Sequence, residues 1–298
     1  IRADLPRRYP ITLVAIALPF AVGLESGGGI HGLAVLGIAV AVGLIALGSL
    51  AVAVVPEPRE FSVARLHAGE GLRQMASNAP FTRLISAYLI NGLANGIPAT
   101  LFLYFVSDRL GAADMRGPLL FVYFLAGLAG VPFAVWAAGK IGKHRAWCIA
   151  MMVNVAVFSA VGFLGEGQVT AFAVISVLTG ICLGFDLALP SSIQADVIDV
   201  DTATSGEQRS GLYFAAWSLA TKLSLALATG IVFPVLAVFG FDPAPGVENS
   251  ADALGALAFI YVAVPVALKI AAIGLMWNFP LDEAEQSALR ARIEGRPV

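Results

Sequence analysis

The residues of this chain that could do chemistry are charges and amides set in or beside long apolar runs. The stretch from Ser192 to Tyr213 gathers Asp196, Asp199, Asp201 and Glu207, with Arg209 close behind. The apolar helix expected after it carries Lys222. An ammonium left in hydrocarbon costs roughly 2.5–3.5 kcal/mol on insertion scales, which packing alone does not justify. Counted from Gly211, Lys222 lies about 16–17 Å along a helix rising 1.5 Å per residue, near mid-depth of a bilayer. Ser218 and Thr229 share its face at helical spacing, and Trp217 and Thr221 flank it. Such a stripe reads as the wall of a wet passage; the competing reading is a lysine snorkelling along its own helix.

Two further intramembrane charges invite the same question. Asp186 sits in Gly184-Phe-Asp-Leu-Ala-Leu-Pro190, one to two turns from the expected helix end. Pro190 frees a carbonyl a turn earlier, and broken helices line the sites of many carriers. Asp186 therefore reads either as a solute or coupling site, or as a structural partner to a lysine or a loop. Lys269 lies about ten residues from the end of the last apolar run, where snorkelling or a helix–helix polar contact serves as well as function. Tyr88, Asn91 and Asn95 recur at i, i+3 and i+7. Amides both donate and accept, which suits hydroxylated solutes, although interhelical hydrogen bonding explains them equally well. Tyr213 falls near a membrane boundary and reads as an interfacial belt or gate residue.

The acidic stretch is not an EF-hand, because Asp199-Val-Asp-Thr-Ala-Thr lacks the required acidic ladder and central glycine. It reads as a loop forming a cytoplasmic gate, with Asp196 or Asp199 paired to Arg209 or to the basic run Lys140, Lys143 and Arg145; a solvated loop is the alternative. The three histidines, His31, His67 and His144, show no ligand spacing. Cys148 and Cys182 lie in apolar runs as small hydrophobes. No metal, cofactor, enzymatic or nucleic-acid chemistry is expected.

The elements that position these groups follow from composition. The chain is 58% hydrophobic and 13% charged, against about 45–50% and about 25% for soluble domains. It reads as an all-α membrane protein with about eight spanning segments, near 10–26, 32–55, 81–106, 118–138, 146–164, 168–190, 211–240 and 254–279. With a cytoplasmic N-terminus, only Arg109 and Arg116 fall outside, and Lys222 and Lys269 fall within the membrane. Every other Lys and Arg, including Arg2, Arg7 and Arg8, is then cytoplasmic. Both ends face the cytoplasm of a cell (inner or plasma) membrane. Residues 1–55 read as two helices of an incomplete first bundle, 56–79 as a cytoplasmic linker with an amphipathic run through Met75, 80–280 as a six-helix bundle and 281–298 as a cytoplasmic tail. The opening residues lack the marks of a signal peptide and read as the middle of a longer protein.

Four stretches carry a family resemblance: Asn78-Ala-Pro-Phe81 with Ala87-Tyr-Leu-Ile-Asn-Gly-Leu-Ala-Asn95; the basic loop Gly139 to Arg145; Ala195-Asp-Val-Ile-Asp199 with Gly206 to Tyr213; and Lys222. On these the chain resembles the C-terminal portion of the glycoside–pentoside–hexuronide:cation symporters, the melibiose-carrier group of the major facilitator superfamily. The resemblance implies a carrier built from two bundles, coupling Na⁺ or H⁺ to uptake of a glycoside or other sugar by alternating access. It implies that Lys222 meets carboxylates of the first bundle, where the family's cation-binding residues mainly lie. A lysolipid-like cargo, or a non-transporting half-carrier, are the other expectations.

Overall fold

The computed structural model describes residues 37–38, 41–46, 48–49, 68–205, 210–244 and 247–280. The first expected segment, the tail, Glu207 and Arg209 lie outside the described residues, as does most of the second segment, whose described residues are helical. The chain divides into two units, Ile1–Val63 and Ala64–Val298, and the second holds the site.

That second unit is helical over most of its described length: α1 (Ala68–Ser77), α2 (Ala79–Tyr104), α3 (Arg116–Ile141), α4 (Lys143–Ser159), α5 (Val169–Ser205), α6 (Ser210–Val238) and α7 (Ala251–Met276). A π-helical turn, Phe105–Arg109, prolongs α2. The six helices α2 to α7 are long and apolar enough to cross a membrane, as the sequence predicts for this part of the chain. The short α1 falls in the stretch expected to be a linker, on its amphipathic run.

Local chemistry fixes the helix ends. Asn78 caps α2, its Oδ1 accepting from Phe81 N at 3.1 Å, with Pro80 in the first turn, where a missing N–H costs nothing. Ser250 caps α7 by accepting from Ala253 N at 3.2 Å. Gly142, at φ +86°, breaks α3 from α4 in a conformation that side chains with a Cβ avoid. Arg83 donates to the carbonyls of Leu275 and Asn278, so it caps the end of α7 from α2.

Packing is closest where side chains are smallest. A Cβ on Gly180 would lie 2.5 Å from the Tyr123 carbonyl oxygen, and one on Gly184 2.6 Å from that of Gly127, so α3 and α5 meet backbone to backbone. The α6 helix is held differently, by one stripe: Ala220, Ser224, Ala228, Val232 and Leu236 are its buried residues beyond Tyr213. Gly92 and Gly96 of α2 receive that stripe, a Cβ at Gly96 falling 2.8 Å from Ala228 Cβ. Two apolar clusters fill the bundle, one around Trp147, Tyr213 and Leu84 and the other around Phe105, Tyr261 and Phe172. On α2 and α7 a polar layer separates them.

Candidate functional site

The polar layer is built on Asp186. Its Oδ1 accepts from Trp147 Nε1 at 2.6 Å and from Asn91 Nδ2 at 3.1 Å. Its Oδ2 accepts from Asn95 Nδ2 at 2.9 Å and lies 3.5 Å from Lys269 Nζ. Lys269 donates to Asn91 Oδ1 at the closer distance of 2.8 Å. Four helices, α2, α4, α5 and α7, thus deliver one acid, one base, two amides and an indole to a single point. Asn91 and Lys269 are only 2% and 4% exposed. Asp186 has a lysine as its partner, as one of its two expected readings has it. The lysine of the pair is Lys269, for which the sequence left snorkelling, a helix–helix contact and function open. It does not snorkel; it is buried and crosses to α2 and α5.

Beside this layer is a cavity of about 270 Å³ lined from α2, α3, α4, α5 and α7. Lys269, Asn95, Thr179 and Ser176 are among its polar lining residues. Phe102, Leu120, Phe124, Phe158, Phe172 and Tyr261 form most of the remaining wall. Asn154 also faces it, and none of its amide groups is hydrogen-bonded to a described residue. Its chemistry is that of a mainly apolar cavity with a few polar groups in its wall.

The other predicted residues lie on α6 and the facing side of α2. Tyr88 stacks on Trp217 with ring centroids 3.7 Å apart, and its hydroxyl meets Thr221 Oγ1 at 3.0 Å. Ser218, Thr221 and Lys222 are exposed. Lys222 lies two residues from both Ala220 and Ser224, about 200° around the helix from each. It therefore points away from the stripe that docks α6, and no described residue pairs with it. The structure brings Tyr88, Trp217 and Thr221 together, and separately Asn91, Asn95 and Asp186; Lys222 joins neither group.

At the end of the bundle where α2 begins, Lys143 Nζ lies 2.6 Å from Asp196 Oδ2, one of the pairs expected of a gate. Lys140 and Arg145 are exposed. The expected loop is corrected here. Asp196, Asp199 and Asp201 all belong to α5, which continues to Ser205 rather than ending near Pro190. Pro190 is accommodated inside the helix, as are prolines in every spanning helix except α4. Tyr213 is also corrected: it is fully buried rather than set in an interfacial belt, and its hydroxyl accepts from Asn78 Nδ2 at 3.1 Å. Trp147 was missed. An indole in an apolar helix reads as core, and nothing local in the sequence marks it as a donor to an acid on another helix. Among the described residues no group of His, Cys, Asp and Glu is arranged to hold a metal.

Comparison with known proteins gives the chain's family. Residues 10–283 match the family described as MFS/sugar transport protein. An uncharacterized symporter of Synechocystis is 25% identical over 74% of this chain and 41% of its own length. The sodium-dependent lysophosphatidylcholine symporter 1-A of Danio rerio is 23% identical over 72% of this chain and 40% of its own. The sphingosine-1-phosphate transporter MFSD2B of Xenopus tropicalis is 28% identical over 54% of this chain and 32% of its own. The chain thus spans less than half the length of these curated relatives.

Proposed function

Because the chain belongs to the MFS/sugar transport protein family, we propose that it forms the six-helix half of a cation-coupled carrier that moves an amphipathic solute by alternating access. The observation that carries this reading is the cavity of about 270 Å³, whose wall is chiefly aromatic and aliphatic with few polar groups, a buried ammonium among them. A sugar is polar on all sides and would leave most of its hydroxyls unmatched there. Relatives that carry lysophosphatidylcholine and sphingosine-1-phosphate support the same class.

In this reading the end holding Arg73, Arg83, Lys140, Lys143 and Arg145 is cytoplasmic, and the Lys143–Asp196 pair helps to close it. Lys222 faces the opposing bundle across the solute path, which accounts for its having no partner among the described residues. A charge so placed is solvated by the passage and by carboxylates of the other half. Coupling to Na⁺ or H⁺ belongs to that meeting of the two halves.

A second reading rests on Tyr88 and Trp217. Their stacked rings, with Thr221 beside them and Lys222 one residue on, offer an aromatic face and hydroxyls of the kind a sugar ring uses. The two readings separate in proteoliposomes of the intact carrier under an imposed Na⁺ or proton gradient. Gradient-driven uptake of a labelled medium-chain amphiphile, undiminished by excess glycoside, is expected. Concentrative uptake of a glycoside that this amphiphile fails to inhibit would replace the first reading by the second.

A further inference from the structure

The asymmetry of the Asp186–Lys269 pair has a chemical consequence. Asp186 is satisfied without Lys269: three neutral N–H donors reach its two oxygens at 2.6, 2.9 and 3.1 Å. Lys269 is in the opposite position. Its ammonium has three N–H groups, of which one meets Asn91 Oδ1 at 2.8 Å and a second has only the long 3.5 Å approach to Asp186. No other acceptor among the described residues meets it, and Lys269 lines the cavity. The buried base therefore lacks a partner on the cavity side.

We propose that Lys269 is the head-group anchor of the inner cavity, selecting a solute with an acidic head on an apolar body. This rests on the amphipathic reading and assigns the head. The body is bounded by volume: a cavity of about 150 Å³ holds benzene, so one of about 270 Å³ takes about ten heavy atoms. A medium-chain carboxylate fits that bound. Charge arrangement supports an acid despite the nearby Asp186. An acidic oxygen about 3 Å from Nζ on the cavity side lies about 6 Å from the Asp186 carboxylate, and attraction falling as 1/r is then about twice the repulsion. A cationic head gains nothing there, since it meets an ammonium first. An alcohol accepts one hydrogen bond and gains no charge pairing.

The test compares three probes of one chain length, octanoate, octanol and octylamine, for binding to the intact carrier in nanodiscs. Background partitioning is set by Ala99→Phe, which fills the cavity with a ring. The expected result is saturable octanoate binding about tenfold tighter than octanol, a difference typical of one charge-assisted contact, with no specific octylamine binding. Lys269→Gln should remove the preference for octanoate. So should Asp186→Asn/Lys269→Gln, which strands no buried charge and guards against misfolding of the single variant. Equal binding of octanoate and octanol by the wild type, or a preference that survives in the double variant, overturns the anchor while leaving the cavity as an amphiphile site. Binding of all three probes unchanged by Ala99→Phe overturns both.

Discussion

The two lysines set well inside spanning helices of this bundle, Lys222 and Lys269, occupy opposite environments. Lys269 is 4% exposed, bonded to α2 and facing an acid on α5. Lys222 is exposed, on the far side of a helix that is itself attached by one stripe of small residues. A charge buried inside the bundle finds its protein partners within that bundle. A charge on its outer face must be completed by something else, and so reports on a surface the bundle does not supply. The first region is expected to govern stability and solute choice, and the second to govern coupling.

Substitutions can break this contrast. The largest effect is expected from Asp186→Ala, which strands Lys269 and three N–H donors and should cost about 3–5 kcal/mol in thermal unfolding of the purified carrier. Asp186→Asn/Lys269→Met should cost clearly less. If the double variant is as damaged as the single one, the interior pair is not the structural centre described above. Gly96→Leu comes next. It drives a side chain into Ala228, and at about 1–3 kcal/mol it should loosen α6 from α2, seen as faster proteolysis near Ser210. Lys143→Ala removes a half-buried pair with Asp196, and about 1 kcal/mol is expected. Its sharper readout is a shift towards cytoplasm-open labelling of introduced cysteines. Lys222→Ala should leave unfolding within about 0.5 kcal/mol of wild type and yet abolish gradient-driven uptake. Uptake at the wild-type rate in that variant would remove the coupling role from the outer face.

Much of this architecture could be read from the chain. Six apolar runs and the amphipathic run ahead of them stand in the sequence, because helix length and periodicity are local properties. The polar stripe of Asn91 and Asn95 and the intramembrane Asp186 were also visible as candidates. Their convergence was not. Whether Lys269 snorkels or crosses to another helix depends on which helix lies beside it, and helical spacing carries no such information. The same gap hid Trp147 and the aromatic wall of the cavity, whose residues come from five helices. Charge density made Asp196 to Asp201 look like a loop. In fact these acids sit on a helix that has outrun the apolar run feeding it.

That continuation of α5 makes it a lever. Its 37 residues extend about 55 Å at 1.5 Å per residue, well beyond a hydrocarbon core of about 30 Å. Asp196 lies ten residues past Asp186, about 15 Å along the axis. A tilt of about 10° pivoting at the polar layer would carry Asp196 sideways by about 3 Å, enough to part it from Lys143 at ordinary hydrogen-bond lengths. One continuous helix thereby links what happens at mid-membrane to whether the far end stays latched, with Pro190 between the two points as the one break in its hydrogen-bond ladder.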